Sequence, residues 1–299
     1  VEIIATAGTD PATLDALETW LVSTLGKGVI RALDTPNFVA NRIGVFSILA
    51  VMHHTQRLDL GFDTVDALTG PKIGRPSSAT FRTGDVVGLD TLAHVVRTMR
   101  DTLPDDPWQN HFTVPAWLDG LIGKGAFGQK AGGGIYRKVG KEIHVLDLGE
   151  QAYRLSAGAA SAEVATILKE KNLAARCAAR RASADPQAQF LWAIFRDVFH
   201  YCAFQLGSIA DNARDLDLAL RWGFGWAMGP FETWQAAGWE EIARAIAADI
   251  AAGKAMSAAP LPAWALEAGR TGVHTPEGSY SASRNIYIPR STLPVHQRQ

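Results

Sequence analysis

An internal repeat constrains the fold of this 299-residue chain more than any other feature of its sequence. The segment FRTGDVVGLD at residues 81–90 returns as FETWQAAGWE at residues 231–240, an offset of 150 positions. Upstream, the dipeptide VD at 65–66 returns as LD at 216–217, an offset of 151 positions. Because a repeated pattern indicates one structural unit built more than once, the sequence predicts a duplicated domain.

Helical periodicity is found in both copies of the repeat. Long apolar helices are predicted over 37–60 and 187–208, at corresponding places ahead of the repeated segments. The first copy also contains shorter predicted helices, at 63–69, 88–101 and 115–122. The repeat is therefore predicted to be helical.

The segments between and after the copies have other patterns. A glycine-rich turn region at 125–134 precedes a predicted hairpin, with strands at 135–139 and 142–146. The following stretch, 150–185, is rich in Ala and Arg and is interpreted as a helical connector. From Ser281 onward the tail contains Arg and Pro without clear periodicity, as interdomain linkers do.

The N-terminal segment alternates strand and helix. Residues 1–5 predict a strand, and Asp10 followed by Pro11 supplies an N-cap with proline at the first helical position. That helix is expected to stop at Gly26, ahead of a short buried strand at 28–33. Since one strand–helix–strand crossover cannot form a sheet alone, this segment is interpreted as part of a larger parallel sheet.

These patterns predict a mainly α chain with several regions. The regions are an N-terminal strand–helix–strand at 1–34, a first helical domain at 35–138, a hairpin and connector at 139–185, a second helical domain at 186–280 and a linker-like tail at 281–299.

Composition excludes several classes of partner. With 29 basic and 30 acidic residues the net charge is −1, so no general field favours nucleic acid or an anionic membrane surface. The longest apolar run, at 43–52, is far shorter than the ~20 residues that span a bilayer. Cys177 and Cys202 fit neither a disulfide framework nor a zinc pattern. The sequence therefore predicts a soluble, cytoplasmic protein without a metal site.

Two positions are candidates for chemistry. Glu2 is a carboxylate near the end of a strand, where α/β folds place functional groups, or else it is a solvated edge residue. Asn41 lies one turn into the long helix that Pro36 opens. Its amide is suited to hold a substrate oxygen, or else to make a local capping or packing contact.

Three ordered motifs resemble one enzyme family. DTPNFVANRIG at 34–44 is similar to the sequence joining the nucleotide-binding and helical domains of L-3-hydroxyacyl-CoA dehydrogenases. GRPSSATFRTGDVVGLD at 74–90 resembles the acyl-pocket segment, and GAFGQKAGGGIYR at 125–137 resembles the end of the first helical domain. The duplication points to the long, multifunctional form. The resemblance implies helical domains of the 6-phosphogluconate-dehydrogenase C-terminal-like type, preceded by a remnant of a Rossmann domain at 1–34.

The resemblance also implies roles for individual residues. Glu2 matches the acid that hydrogen-bonds the catalytic histidine and stabilises its imidazolium, and Asn41 matches the asparagine that positions this histidine and the substrate oxygen. Further positions are implied to bind substrate: Asn37, Phe38, Gly74, Pro76 and Phe81.

The histidine itself and the NAD-binding loop lie upstream of the acid in the family pattern. Since nothing precedes Val1, both are expected to lie outside this chain. His53 and His54 are adjacent on the long helix, far from Asn41, and are interpreted as surface or packing residues.

The two copies also differ. Trp192 stands where the first copy has Asn41, so the second is expected to keep the scaffold without the catalytic amide. GPFE at 229–232 resembles the usual pocket sequence of the family, whereas the first copy has ATFR at the corresponding positions 79–82.

The implied activity is oxidation of 3-hydroxyacyl-CoA to 3-oxoacyl-CoA in fatty-acid β-oxidation, with acyl-CoA as substrate and NAD as cofactor of the full-length protein. The chain is expected to be an oxidoreductase fragment without activity alone. Its implied partners are the NAD domain, a downstream enoyl-CoA hydratase module and a second copy in a homo-oligomer. The alternative is a stand-alone, non-catalytic helical module for acyl-CoA binding or dimerisation. A third possibility, a dehydrogenase of the same fold for another hydroxy acid, is disfavoured by the pocket and closing motifs.

Overall fold

The structure is a computed structural model that describes residues 1–296. Within that range the α-helices are α1 Pro11–Leu25, α2 Ala40–Arg57, α3 Phe62–Leu68, α4 Phe81–Val87, α5 Leu89–Thr102, α6 Ala116–Gly123, α7 Ala162–Ile167, α8 Leu173–Ala182, α9 Pro186–Gln205, α10 Ala213–Gly223, α11 Pro230–Ala236 and α12 Trp239–Ala251. The strands are β1 Glu2–Ile4, β2 Ile30–Ala32, β3 Tyr136–Val139, β4 Glu142–Asp147, β5 Ala152–Leu155, β6 His274–Thr275, β7 Gly278–Ser281 and β8 Ile286–Ile288. The fold is helix-rich, as the sequence predicts.

The chain divides into two compact units, neither of which is continuous in sequence. Within the described residues, the first unit combines 1–44, 199–252 and 259–296. The second combines residues 45–198 and 253–258.

The first unit begins with the predicted strand–helix–strand. Strands β1 and β2 pair in parallel, with Glu2 opposite Ile30. The Asp10 side chain accepts the Ala12 N–H at the start of α1, and Gly26 ends the helix with φ of 59°. Because these capping residues satisfy backbone groups that a helix end leaves free, the local sequence sets both ends of α1, and both predictions are confirmed.

The rest of the first unit packs helices against a small sheet. In its core the rings of Trp234 and Trp239 stack with centroids 4.1 Å apart, and Phe231 joins them fully buried. Strands β6, β7 and β8 form an antiparallel sheet in that order. The sequence predicts a linker-like tail from Ser281, but the tail contributes β8. Strand β8 pairs with β7 in a hairpin that places Tyr280 opposite Tyr287. With three residues, β8 is too short to show the alternation by which strands are predicted.

The second unit contains the helices of the first copy and a second antiparallel sheet, ordered β3, β4, β5. Phe62 packs on Phe81 with ring centroids 4.3 Å apart, and Trp117 contacts both rings. Arg154 on β5 donates two hydrogen bonds to the buried Asp63 carboxylate of α3, at 2.9 and 3.0 Å. These contacts join helices to sheet within the unit.

Several elements differ from their predicted bounds. Helix α2 begins at Ala40 rather than 37, because Asn37 and Phe38 have positive φ and cannot belong to a right-handed helix. The short α4 is absent from the prediction, and the predicted helical connector contains the strand β5 in addition to α7 and α8. Among residues 1–296, no helix combines the length and the apolar character needed to cross a membrane.

Candidate functional site

The Glu2 carboxylate lies at the start of α2 in the first unit. Its Oε1 accepts the Ala40 N–H at 2.7 Å, and its Oε2 accepts the Val39 N–H at 3.3 Å. The first N–H groups of a helix have no partner within the helix, and a negative charge there is favourable. Glu2 on β1 therefore caps α2, a role that the strand pattern alone does not indicate.

The loop before α2 is conformationally unusual. Asn37 and Phe38 have φ of 62° and 50°, in the left-handed region that few residues other than glycine adopt. The Asn37 Nδ2 is buried and has no hydrogen-bond partner in the described structure. Strained backbone and an unsatisfied buried amide are features that cluster at functional sites.

Asn41 lies in the first turn of α2, and its side chain is exposed. The neighbouring Arg42 is buried instead, where its Nε donates to the Tyr201 hydroxyl at 2.6 Å and its Nη1 to the Pro36 carbonyl at 3.3 Å. Arg42 thus holds the loop against α9, while Asn41 stays accessible.

The predicted substrate-binding positions in the second unit have different surroundings. Gly74 has φ of 77° and closes the short 3₁₀ turn Pro71–Ile73. The Pro76 carbonyl accepts the Ala79 N–H at 2.9 Å in the next turn. Phe81 is only 1% exposed and belongs to the aromatic core described above. Gly74 and Pro76 thus shape a loop, and Phe81 belongs to the core.

Two aspartates, Asp66 and Asp217, were not singled out from the sequence as site residues. In the first copy, the Asp66 carboxylate accepts the N–H groups of Phe81 and Arg82 at 2.7 and 3.0 Å, and the Tyr136 hydroxyl at 2.8 Å. Burial raises the pKa of Asp66 to about 6, against the lowering effect of these bonds. The VD dipeptide at 65–66, which returns as LD at 216–217, is the sequence feature that could have identified these two aspartates.

The second copy has the same arrangement. The Asp217 carboxylate accepts the N–H groups of Phe231 and Glu232 at 2.8 and 3.0 Å, and His274 Nε2 lies 2.7 Å from its Oδ2. Burial raises the pKa of Asp217 to about 6, although the bond from His274 lowers it. His274 therefore takes the place of the Tyr136 hydroxyl.

A second pair of positions corresponds in the same way. Asp85 accepts the N–H groups of Ile135 and Tyr136, each at 2.8 Å, at the start of β3. Gln235, at the 150-residue offset, accepts those of Val273 and His274 at 2.9 and 3.0 Å, at the start of β6. In both copies an α-helical side chain thus holds the first strand of the sheet.

The second unit also contains a buried ionic cluster. The Asp197 carboxylate contacts His54 Nε2 at 2.6 Å, Arg196 Nη2 at 2.8 Å and the Met256 N–H at 3.1 Å. Burial raises the pKa of Asp197, but the bonds from His54 and Arg196 outweigh it and bring the value to about 2. Burial lowers the pKa of His54, so a neutral ring donates from Nε2 to the carboxylate. His54 is a packing residue, as interpreted from the sequence.

The residues present do not fit a dinucleotide site. The chain has one Gly-x-Gly-x-x-Gly pattern, at 123–128, but it follows α6 and leads into a 3₁₀ turn. A nicotinamide-binding loop instead follows a strand and opens a helix whose N-terminus meets the pyrophosphate. Within residues 1–296, no group of His, Cys, Asp and Glu side chains is arranged to hold a metal ion.

Comparison with known proteins identifies relatives of the chain. Residues 38–138 match the family described as 3-hydroxyacyl-CoA dehydrogenase, C-terminal domain. A Bacillus subtilis protein named "Probable 3-hydroxyacyl-CoA dehydrogenase" is 41% identical over 81% of this chain and 31% of its own length. A Rickettsia prowazekii protein, provisionally named as a fatty acid oxidation complex trifunctional enzyme, is 25% identical over 78% of this chain and 31% of its own length. The chain thus spans about a third of these relatives.

Among solved structures, 3-hydroxybutyryl-CoA dehydrogenase from Escherichia coli K12 matches with a TM-score of 0.59. The match has 16% sequence identity and covers 85% of this chain and 63% of that one, so it shows a shared fold. Residues 38–138 of this helix-rich chain therefore resemble the C-terminal domain of 3-hydroxyacyl-CoA dehydrogenases, the activity that the names of its homologues give.

Proposed function

We propose that the chain is the helical part of a long-type, NAD-dependent L-3-hydroxyacyl-CoA dehydrogenase of fatty-acid β-oxidation. The reaction is oxidation of 3-hydroxyacyl-CoA to 3-oxoacyl-CoA. The names of the relatives support this proposal, and so does the fact that the chain spans only about a third of the two curated ones. The trifunctional relative supports a downstream enoyl-CoA hydratase module. Cys177 and Cys202 are buried and form no disulfide with each other, which is consistent with the reducing conditions of the cytoplasm.

The observation that carries the proposal is the anchoring of Glu2. A carboxylate has about four lone-pair positions, and the bonds from Val39 and Ala40 use two of them. The remaining positions are available to a histidine N–H. Glu2 would then orient the histidine that takes the proton of the substrate hydroxyl and stabilise the imidazolium, as an aspartate does in a catalytic triad. The histidine would come from a segment outside this chain.

The small N-terminal sheet supports a missing Rossmann part. Within the described residues it has two parallel strands, whereas parallel sheets are normally larger and covered on both faces. Helix α1 exposes Leu17 and Trp20, which are 41% and 50% accessible. Further strands and helices of a nucleotide-binding domain would cover this surface and would bring the NAD site, which the residues present do not supply.

The other residue roles follow the same proposal. The exposed Asn41 amide would contact the histidine and the substrate oxygen, with Asn37 and Phe38 beside it on the strained loop. Gly74, Pro76 and Phe81 would shape the acyl pocket of the first helical domain, 35–138. The second helical domain, 186–280, would be its duplicate and would serve packing between domains or between the subunits of a homo-oligomer.

Two assays test this proposal. The purified 299-residue chain, mixed with 3-hydroxybutyryl-CoA and NAD, should form no NADH, because the general base and the cofactor site are absent. In the longer natural protein, Glu2→Gln and Asn41→Ala should each lower kcat, by about 10²- to 10⁴-fold for loss of general acid–base assistance. Glu240→Gln, at an exposed carboxylate, is the control and should leave kcat unchanged.

Two results would contradict the proposal. NADH formation by the isolated chain would refute its being an inactive part. Unchanged kcat in both variants of the longer protein would remove Glu2 and Asn41 from the site. If calorimetry detects acyl-CoA binding by the isolated chain while the natural polypeptide begins near Val1, the alternative, a non-catalytic binding module, is favoured.

A further inference from the structure

A serine, a histidine and an aspartate form a hydrogen-bonded row in the first unit. Ser279 Oγ lies 3.0 Å from His274 Nδ1, and His274 Nε2 lies 2.7 Å from Asp217 Oδ2. Since an ionised carboxylate only accepts, Nε2 carries the proton that it donates to Asp217. The Nδ1 lone pair then faces the Ser279 hydroxyl, which is the relation of a general base to a nucleophile.

The corresponding residues of the first copy make no such row. Tyr136 occupies the place of His274 beside Asp66, and its strand partner is Val145. The strand partner of His274 is Ser279. In both copies the aspartate accepts two backbone N–H groups and one side-chain donor of the first strand, so the serine beside that donor is what distinguishes the second copy. In the second copy, His274 and Ser279 stand where the first copy has Tyr136 and Val145, and these two side chains can exchange a proton.

The space beside these residues also differs. The cavity that Asp217, His274 and Ser279 line has a volume of about 610 Å³, whereas the cavity beside Tyr136 has about 300 Å³. The larger value lies within the range of small-molecule sites. Arg214 and Arg290 also line the larger cavity, together with the carboxylate of Glu232. A substrate carbonyl that enters it would meet both a nucleophile and cationic groups.

We propose that Ser279, His274 and Asp217 form a second reactive site, which transfers the acyl group of a small ester or thioester to water. Asp217 is suited to hold His274, because it is 1% exposed and is itself fixed by the N–H groups of Phe231 and Glu232. The site is recognised by geometry and by the role of each group, not by their order in the sequence.

The reaction proceeds in two balanced steps. Ser279 Oγ attacks the acyl carbon while its proton passes to His274 Nδ1. The bond from the acyl carbon to the leaving oxygen or sulfur then breaks, and the leaving group takes that proton. In the second step a water molecule gives its proton to His274 and attacks the Ser279 ester. The acid leaves, the proton returns to Oγ and the free serine is restored.

The arginines indicate the class of substrate. The guanidinium groups of Arg214 and Arg290 would attract an acyl compound that carries a negative charge, although the Glu232 carboxylate lines the same cavity and Arg214 Nε lies 3.9 Å from Asp215 Oδ1. Neither the attack nor the hydrolysis requires NAD. The proposal is therefore independent of the dehydrogenase function, and the failure of one leaves the other standing.

The test uses the purified chain without NAD. Hydrolysis of p-nitrophenyl acetate and of acetyl-CoA would be followed by release of nitrophenol and of thiol, and a fluorophosphonate probe would label the nucleophile. Ser279→Ala should abolish labelling and reduce hydrolysis by at least about 10²-fold, the usual effect of losing such a group. His274→Gln should reduce both.

Ser281→Ala is the matched control, since Ser281 is equally buried on the same strand but contacts Ser283 instead. This variant should keep both labelling and hydrolysis, and circular dichroism with thermal unfolding should show that all three variants are folded. Absence of hydrolysis and labelling in the unmodified chain would overturn the proposal. So would label found on another residue, or hydrolysis that persists in Ser279→Ala.

Discussion

The Asp197 carboxylate is completely buried and depends on its partners His54, Arg196 and the Met256 N–H. Removing one member of a buried ion pair leaves the other charge uncompensated, which commonly costs about 3–5 kcal/mol. We therefore expect Asp197→Asn to lower the free energy of unfolding by about that amount, measured by urea denaturation.

The control for this substitution is Asp101→Asn. The Asp101 carboxylate pairs with Arg100 on the surface, with both side chains well exposed, and such pairs contribute little. It should leave the unfolding midpoint unchanged. If Asp197→Asn were equally harmless, the buried cluster would not stabilise the second unit.

Glu2 caps α2 through the N–H groups of Val39 and Ala40. Loss of an N-terminal capping group costs about 0.5–2 kcal/mol, so Glu2→Ala should lower the unfolding free energy within that range. Glu2→Gln retains one carbonyl oxygen as an acceptor and should cost less. Chemical denaturation of the three proteins gives the comparison, and equal stability of Glu2→Ala and the parent chain would show that the cap is not formed.

At the scale of elements, the first strand of each antiparallel sheet is held by one helical side chain. Asp85 accepts two buried backbone N–H groups at the start of β3, and each would be left unsatisfied by truncation. An unsatisfied buried donor costs about 1–3 kcal/mol. We expect Asp85→Ala to destabilise the second unit by about 2–5 kcal/mol in urea unfolding.

Amide hydrogen exchange locates this effect. In Asp85→Ala the N–H groups of β3 should exchange faster than those of α5, because the lost contact belongs to the strand. Gln129→Ala is the control, because Gln129 is exposed and lines the cavity beside Tyr136 that Asp85 also lines. This variant should change neither the free energy of unfolding nor the exchange of β3. If the N–H groups of β3 exchanged as slowly in Asp85→Ala as in the parent chain, Asp85 would not anchor this strand.

Element prediction succeeded where the signal was local. Helix α1 was predictable because Asp10, Pro11 and Gly26 lie at its ends and satisfy its own backbone. The start of α2 was not, since the positive φ values of Asn37 and Phe38 arise from the surroundings of the loop. Strand β8 was missed because its three residues, Ile286–Ile288, are too few to show a periodic pattern.

At the scale of the whole molecule, the half-buried His53 makes stability depend on pH. Burial, with the neighbouring His54 and His111, lowers the pKa of His53 to about 4, below its ordinary value of 6.5. As the pH falls from 7 to 5, His53 becomes protonated in the unfolded chain but stays neutral in the folded chain. The free energy of unfolding therefore decreases over this range. Asp66 and Asp217, with pKa values of about 6, act in the opposite direction over the same range.

The histidine contribution can be isolated by substitution. His53→Gln should lose about 1 kcal/mol less stability between pH 7 and pH 5 than the parent chain, a value reduced for the partial exposure of this ring. Guanidinium unfolding at both pH values measures the difference. His94→Gln, at an exposed position of α5, is the control and should follow the parent chain. An identical pH response of His53→Gln would contradict the depressed pKa.

The candidate dehydrogenase positions came from motifs, and the structure adds the bond between Glu2 and the start of α2. The Ser279–His274–Asp217 row was out of reach of the sequence. His274 and Asp217 are 57 positions apart, and no spacing rule connects them. Likewise, His54 and Asp197 are 143 positions apart.

The sequence by itself determined the helix-rich class, the ends of α1 and the repeated segments, because capping and periodicity act over a few neighbouring residues. Only the tertiary structure decided which polar groups meet inside each unit, where α2 begins and that the tail contributes a strand. The first two outcomes depend on packing and on hydrogen bonds between distant parts of the chain, and the third depends on a hairpin strand too short to show a periodic pattern. A buried aspartate finds its partner through the fold, and no local pattern records which residue that will be.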